Sequence, residues 1–176
     1  NGLVYASGDI VCFLNSDDCF FDDKVISNVV KEFKLNNNID AVYGDMAYIN
    51  KNKIITRHWK ANDYYSNAFI YGWSLPFPTF YLKRSCFTRY GKFNLKHKIC
   101  DDYEFTFRLI HIHKIKISRI NKTMILFNDY GRSSNLISRV SALIDILSIF
   151  RLYSIKINIF TFIIKRYIGK IKQIKF

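Results

Sequence analysis

The stretch "IVCFLNSDDCFFDD", residues 10–23, joins an apolar run to a cluster of carboxylates. Residues 8–15 form a short, nearly continuous apolar segment, with a glycine before it and polar residues after it. This pattern is typical of a strand buried on both faces of a parallel sheet. Because ligands of open α/β sheets bind beyond the carboxyl ends of strands, the acids that follow fall where a site is expected.

Strand-like and helix-like patterns alternate along the next part of the chain. Apolar residues at helical spacing predict a helix from Asp22 to the "NNN" at residues 36–38, and "DAVYGD" at 40–45 predicts another short strand. Two β-rich runs around an Asn-Lys-Asn turn, within residues 46–59, predict a hairpin. Residues 78–84 predict a strand, and "SCFTRYG" predicts a short helix closed by Gly91.

A further helix is predicted from near Asp101, with Phe105, Leu109 and Ile112 on one face. "IKISRI" and "TMILFN" predict two more β segments, and helices are predicted after the loop "DYGRSSN" at residues 129–135. Strands that alternate with helices, together with a hairpin, indicate an α/β fold with a mixed sheet.

Positive charge is concentrated at the back of the chain. Of the formal net charge of +13, residues 1–104 carry only +1 and residues 105–176 carry +12. We therefore predict a nearly neutral body over residues 1–135 and a basic amphipathic helical tail over 136–176. Such a tail faces something anionic, and membrane lipid, nucleic acid and a phosphorylated substrate are all candidates.

Composition and a few residue types limit the classes of protein to which the chain can belong. A hydrophobic fraction of 49% excludes a disordered chain, and 176 residues suit one domain. The four cysteines have no CxxC spacing, which indicates a reduced, cytosolic chain without a zinc site. His111 and His113 are interpreted as surface residues, while Trp59 and Trp73 either pack in the core or line a binding cleft.

Asp17 and Asp18 allow two interpretations. Adjacent carboxylates on a loop suit a hard cation such as Mg²⁺ or Mn²⁺, shared with substrate phosphates. Alternatively, they shape a turn, as Asp22 and Asp23 are expected to do where they begin a helix and favour its dipole. The residues themselves leave both interpretations open for Asp17 and Asp18.

The second acidic cluster is "CDDYEFTFRL" at residues 100–109. Asp101 and Glu104 have the spacing of a capping box, so at least one of these acids is explained by the start of a helix. Asp102 is not explained by that pairing. It is either another structural acid or a general base, provided that burial keeps its pKa up against the helix dipole.

The end of the tail has a helical apolar stripe. Its members recur at i, i+3, i+4, i+7, i+8 and i+11, and they are Phe160, Ile163, Ile164, Tyr167, Ile168 and Ile171. Lysines and an arginine occupy the positions between them. This pattern is typical of a helix that lies in a membrane interface, and equally of an amphipathic helix packed on the body or on a partner. No apolar run reaches the ~18 residues of a spanning helix.

Five segments resemble a known family in order and spacing: "ASGDIVCFLNSDD", "DAVYGD", "PFPTFYLKRSCFTRYGKFN", "DDYEFTFRL" and "YGRSSN". Over residues 1 to about 135 the chain is similar to family 2 glycosyltransferases with a GT-A fold, most of all to the bacterial type that builds surface polysaccharides. The resemblance implies a GT-A-like (Rossmann-like) mixed sheet with flanking helices. It also implies an inverting, hexosyltransferase-like transfer of a sugar from a nucleotide-diphosphate donor to an acceptor hydroxyl.

The resemblance assigns roles to particular residues. Asp17 and Asp18 would hold Mg²⁺ or Mn²⁺ against the donor diphosphate and touch the ribose. Asp102 would be the catalytic base, with Asp101 as its acidic neighbour. A loop that closes over the donor is implied for "YGRSSN", and it contains Arg132 and Ser134. In that loop Arg132 would meet a phosphate, or a serine would cap the next helix.

The sequence departs from the family at three places. Asn15 stands where many relatives carry Asp, which leaves fewer charged ligands, and Phe77 stands where relatives often have His. Relatives also carry two or three strands before the position of Asn1, so the fold is expected to be N-terminally incomplete. We therefore expect the chain alone not to turn over. Micromolar binding of a uridine or guanosine diphosphate sugar would contradict that expectation.

The expected partners are a nucleotide-sugar donor, a glycan or lipid-linked acceptor, and an anionic membrane surface. The expected location is the cytoplasm, peripheral on the inner face of the cytoplasmic membrane. Nucleic acid is not expected, because the basic residues are not interleaved with aromatics in a known RNA or DNA module. The alternatives are an inactive remnant of such an enzyme, a metal-dependent phosphohydrolase, and a basic membrane-surface binding module.

Overall fold

The computed structural model describes residues 2–97, 99–129 and 136–171. The strands are β1 (Ile10–Val11), β2 (Cys19–Phe20), β3 (Ala41–Ile49), β4 (Ile55–Trp59), β5 (Tyr81–Lys83) and β6 (Ile117–Asn128). The α-helices are α1 (Val25–Leu35), α2 (Ser85–Tyr90), α3 (Asp101–Phe107), α4 (Leu136–Leu152) and α5 (Ile159–Ile171). A π-helical turn, Arg108–Ile112, continues α3, and 3₁₀ turns occupy Gly2–Val4, Ala68–Tyr71 and Phe77–Thr79.

The six strands form one mixed sheet in the order β1-β5-β3-β6-β2, with β4 also paired to β3. β3 and β6 run parallel, whereas the other pairs are antiparallel. Helices flank this sheet. The predicted α/β class with a mixed sheet is therefore confirmed, as is the predicted hairpin, which β3 and β4 form.

β3 is the centre of the fold, because eight of its nine residues are buried. One side packs against α1, whose Val25, Val29 and Phe33 are buried as the helical spacing predicts. The predicted helix after residue 85 also forms and ends at Gly91, whose φ of 84° is one that glycine adopts at little cost. These elements follow directly from local pattern.

The predicted strand over residues 8–15 is wrong in length and direction. Only Ile10 and Val11 pair, they pair antiparallel with Leu82 and Lys83, and both are half-buried. Their neighbour β5 is only three residues long, so it offers few ladder partners. Phe13 instead leaves the sheet to join a cluster of aromatic rings.

Two other β predictions need correction. "IKISRI" and "TMILFN" form one strand, β6, whose register against β3 shifts between Gly44 and Met46. A Cβ at Gly44 would lie 2.2 Å from Met124 Sδ, so glycine permits this close approach. Of residues 78–84, the first two belong to the 3₁₀ turn Phe77–Thr79, in which the Thr79 hydroxyl donates to the Gly44 carbonyl at 2.9 Å.

The helices of the C-terminal segment pack onto the body. Ile149 and Phe150 of α4 and Phe162 of α5 are buried in the same core cluster as Phe69 and Phe107. The residue of α5 that enters the core, Phe162, is not a member of the predicted stripe. Four stripe members are exposed instead: Phe160, Ile164, Tyr167 and Ile168. Among the described residues, no helix is both long and apolar enough to cross a membrane.

Candidate functional site

One aromatic cluster holds both acidic segments. The Phe93 ring lies 5.1 Å from that of Phe13 and 4.4 Å from that of Phe105, between centroids. Phe87 also touches both, at 6.1 and 5.4 Å. Phe13 precedes Asp17 by four residues, and Phe105 follows Asp102 by three. The two segments therefore pack against the same rings although more than 80 residues separate them in sequence.

Asp17 and Asp18 differ sharply in environment. Asp18 is buried, and its two carboxylate oxygens accept hydrogen bonds from the Asn128 backbone N–H at 3.0 Å and the Asn15 amide at 2.7 Å. Asp18 therefore ties the loop after β1 to the end of β6. Asp17 is exposed, and its backbone carbonyl accepts a bond from the Asn128 side chain at 3.4 Å. Its carboxylate faces solvent beside this tie.

Asp101 and Asp102 begin helix α3. The Asp102 backbone N–H donates to Asp101 Oδ1 at 2.9 Å, and the Tyr103 N–H donates to Asp102 Oδ1 at 2.7 Å. Burial raises the pKa of the Asp102 carboxyl, and the Asp101 charge adds to this rise. The Tyr103 N–H and the Arg166 charge oppose it but do not cancel it. The net effect makes Asp102 a stronger proton acceptor than an exposed aspartate.

The predicted capping box does not form. The N-cap of α3 is Cys100, without a side-chain hydrogen bond, and Glu104 is fully buried. Glu104 Oε1 instead lies 2.8 Å from Arg108 Nε and accepts a bond from the Tyr153 hydroxyl. The Arg108 guanidinium also donates to the carbonyls of Tyr90 and Lys92. Glu104 therefore anchors α3 to α4 and to the loop after α2.

Asp145 of α4 fixes the segment that precedes the acidic pair. Its carboxylate accepts bonds from the backbone N–H groups of Cys100 at 3.0 Å and Ile99 at 3.4 Å, and it lies 2.8 Å from His97 Nδ1. Burial of the carboxyl disfavours ionisation, but the bonds from His97 and Cys100 outweigh it and lower the pKa of Asp145. The sequence contains no local signal for this contact.

Arg166 of α5 lies next to Asp102 and was not anticipated from the sequence. Its guanidinium carbon is 5.5 Å from the centre of the Tyr103 ring, and its charge lowers the pKa of Asp102. Arg166 Nη1 is buried and has no hydrogen-bond partner among the described residues. The α5 backbone lies so close to Gly72 that a Cβ at Gly72 would be 2.8 Å from the backbone nitrogen of Arg166.

A cavity of about 670 Å³ lies between α5 and the segment that follows β3. Trp59 and Trp73 both line it. Trp73 is also buried in the core, so both interpretations, core packing and cleft lining, apply to it. Of the two histidines interpreted as surface residues, His113 is exposed. His111 is only half-exposed, because its ring stacks on Phe107 at 5.0 Å.

The donor side chains around Asp17 decide how a metal ion could be held. Among the residues that the structure describes, no group of three or more His, Cys, Asp or Glu side chains could hold a metal ion. Asp17 is nevertheless an exposed carboxylate on a loop, which suits an ion held by one or two carboxylates and by substrate phosphates. The donors fit an ion that arrives with a diphosphate, rather than a closed protein site. Arg132 and Ser134 lie outside the described residues, so their roles stay predictions.

The comparison with known families agrees with the resemblance. The model of the family described as "Glycosyl transferase family 2" matches residues 1–112, which is more than half of the chain. The match contains four of the five segments quoted above and ends before "YGRSSN". No curated protein matches the chain. The mixed sheet with flanking helices is consistent with a GT-A-like fold. The chain therefore belongs to glycosyl transferase family 2.

Proposed function

We propose that the protein transfers a sugar, with inversion, from a nucleotide-diphosphate donor to an acceptor hydroxyl during the assembly of a surface polysaccharide. The observation that carries the proposal is the shared aromatic cluster, which packs the Asp17 segment and the Asp102 segment together. An inverting transfer needs a charge-neutralising group at the leaving diphosphate and a base at the attacking hydroxyl. The two acidic segments supply candidates for both roles.

Asp102 is the proposed general base. It would accept the proton of the acceptor hydroxyl as that oxygen bonds to the anomeric carbon and the bond to the diphosphate oxygen breaks. Its raised pKa supports this role, because a base works best when its pKa approaches the working pH. Asp101 would support Asp102 by its adjacent negative charge and by accepting the Asp102 backbone N–H.

Asp17 and Asp18 are proposed to serve the donor together. Asp18 would hold the loop in place through its bonds to Asn15 and Asn128, and the exposed Asp17 would contact a divalent ion on the diphosphate. Mg²⁺ or Mn²⁺ bound there would offset the charge that develops on the leaving group. Arg132 and Ser134 are proposed to cover the donor.

We also propose that the protein works at the inner face of the cytoplasmic membrane. On α5, the side chains of Phe160, Ile164, Tyr167 and Ile168 are exposed. An exposed apolar stripe with cations beside it suits the interface of an anionic membrane. A lipid-linked or membrane-bound glycan acceptor would be reached from this position.

The test measures transfer of labelled sugar from a panel of nucleotide sugars in membranes from the cells that naturally make the protein. We expect label to enter polymer or lipid only when a divalent ion is present, and Asp17→Asn to reduce the rate. Asp23→Asn is the matched control, because Asp23 is an exposed acid six residues further on, in the loop between β2 and α1. Phosphate release without any acceptor would instead support the phosphohydrolase alternative and contradict the proposal.

A further inference from the structure

The cavity beside α5 combines aromatic walls with positive charge. Three exposed or half-buried aromatic rings, those of Trp59, Tyr65 and Tyr71, line it together with two buried rings, those of Tyr48 and Trp73. Its volume of about 670 Å³ lies within the usual range for small-molecule sites. Flat rings of this kind contact the apolar faces of ring-shaped ligands, while polar groups at the edge fix their orientation.

Four cationic side chains complete the lining, namely Arg57, Lys60, Lys165 and Arg166. Two of them rest on tyrosine rings: the Arg57 guanidinium carbon lies 3.6 Å from the centre of Tyr48, and Lys165 Nζ lies 4.1 Å from that of Tyr71. These contacts hold the cations at the cavity wall.

Carboxylates are missing from the described residues that line the cavity. The nearby Asp45 is engaged elsewhere, since its carboxylate accepts bonds from Arg119 and the Ala61 N–H, both at 2.9 Å. Arg166 Nη1 is buried without a partner among the described residues. A buried guanidinium nitrogen without a hydrogen-bond partner in the described part of the chain, together with three further cations in the lining, favours an anionic ligand.

The position of the cavity indicates which substrate it would hold. Arg166 lines it, and its guanidinium carbon also lies 5.5 Å from the ring centre of Tyr103, the residue that follows Asp102. Asp102 is the proposed base, which must reach the acceptor hydroxyl. The cavity has none of the acids that a metal-bound diphosphate would need, which separates it from the donor side at Asp17. An acceptor therefore fits this place better than a donor.

We propose that this cavity binds the acceptor, and that the acceptor is a saccharide which carries a phosphate or carboxylate group. The rings of Trp59 and Trp73 contact the sugar, while Lys165 and Arg166 pair with the anionic group. The assignment as acceptor rests on the proposed transfer reaction. The Lys165 and Arg166 contacts come from α5, which lies outside the residues matched by the family model.

Intrinsic fluorescence tests the proposal directly, because the only two tryptophans of the 176-residue chain line the cavity. The purified chain is titrated with glucose 1-phosphate, glucuronate and the neutral methyl glucoside. We expect saturable binding of at least one charged sugar, about tenfold tighter than the neutral sugar and weaker at high salt. The charged sugar that binds better identifies the anionic group as phosphate or carboxylate.

Lys165→Gln should weaken binding of the charged sugar about tenfold, the loss expected for one charge-assisted contact. Arg151→Gln removes an equal charge from an exposed residue of α4 outside the cavity and should leave binding unchanged. Equal binding of charged and neutral sugars, no saturable signal, or wild-type affinity in Lys165→Gln would each overturn the proposal. So would competition by inorganic phosphate at the same concentration as glucose 1-phosphate. The titration needs neither donor nor turnover, so its outcome is independent of the transfer assay.

Discussion

His97 Nδ1 lies 2.8 Å from Asp145 Oδ1, and this contact joins the segment before α3 to α4. The same carboxylate accepts the backbone N–H groups of Ile99 and Cys100, directly before the acidic pair. A helix from the basic half of the chain thus holds the start of the helix that carries Asp102. The position of the proposed base therefore depends on residues well beyond the family match.

Asp145→Asn should lower the free energy of unfolding by about 1–3 kcal/mol near neutral pH, because charged hydrogen-bond acceptance is lost. The pKa of Asp145 is lowered in the folded state, so its contribution is complete above the unfolded pKa of about 3.9 and is lost as pH falls through the folded value. Urea titrations between pH 5 and pH 2 should show the gap between wild type and variant closing. A gap that is constant or grows toward acid would contradict the assignment, and Asp23→Asn is the surface control.

Glu104→Ala should destabilise the protein by about 3–5 kcal/mol, because it leaves the half-buried Arg108 without its carboxylate partner. Asp101→Ala should cost less than about 1 kcal/mol, since in the described part of the chain the Asp101 side chain bonds only to the next residue. Equilibrium unfolding in urea measures both. Similar small losses of about 1 kcal/mol in the two variants would support the capping box and contradict a stabilising role of the buried Glu104–Arg108 ion pair.

Gly72 and Gly91 offer a matched pair, with φ of 80° and 84°. Alanine at Gly91 meets only Arg108 Nη1 at 3.8 Å, so its cost is backbone strain of about 1 kcal/mol. At Gly72 the added Cβ would also lie 2.8–2.9 Å from Arg166, and α5 would have to shift. Thermal unfolding should show the larger loss for Gly72→Ala. Equal losses would mean that α5 does not pack against this loop.

Membrane binding should depend on the exposed stripe of α5. Phe160→Asp with Ile164→Asp should abolish flotation with vesicles that contain anionic lipid, because 82% of the Phe160 surface and 56% of the Ile164 surface are exposed. Leu95→Asp, at an 81% exposed residue of the body, is the control and should float as the wild type does. Truncation of α5 is a poorer test, since it removes Phe162 from the core. Flotation of the double variant would contradict membrane docking through this face.

Sequence pattern predicted the elements that are determined by residues close together in the chain. The periodicity of α1, the hairpin of β3 and β4, and the glycine that ends α2 were all predicted, because neighbours in sequence determine them. Strand length was predicted less well. It depends on a partner strand elsewhere, and β1 pairs with only two residues of its three-residue neighbour β5.

The site shows the same division. The acidic residues were identified because they cluster in sequence. Their different structural roles were not predicted. Asp18 is buried and hydrogen-bonded, whereas Asp17 is exposed. Glu104 does not cap the helix, because its carboxylate binds Arg108 and the distant Tyr153. Arg166 was assigned only to the polar side of a helix, since nothing in the spacing indicates that it meets Tyr103 some 60 residues away.

The most direct measurement of the central claim is the rate of sugar transfer by Asp102→Asn in native membranes, compared with wild type and Asp23→Asn. We expect Asp102→Asn to lose about 10²- to 10⁴-fold in rate, as befits removal of a general base, with the protein present at the wild-type level. Asp23→Asn should transfer at the wild-type rate. Transfer by Asp102→Asn at an undiminished rate would contradict the assignment of Asp102 and the proposal that the two acidic segments form one site.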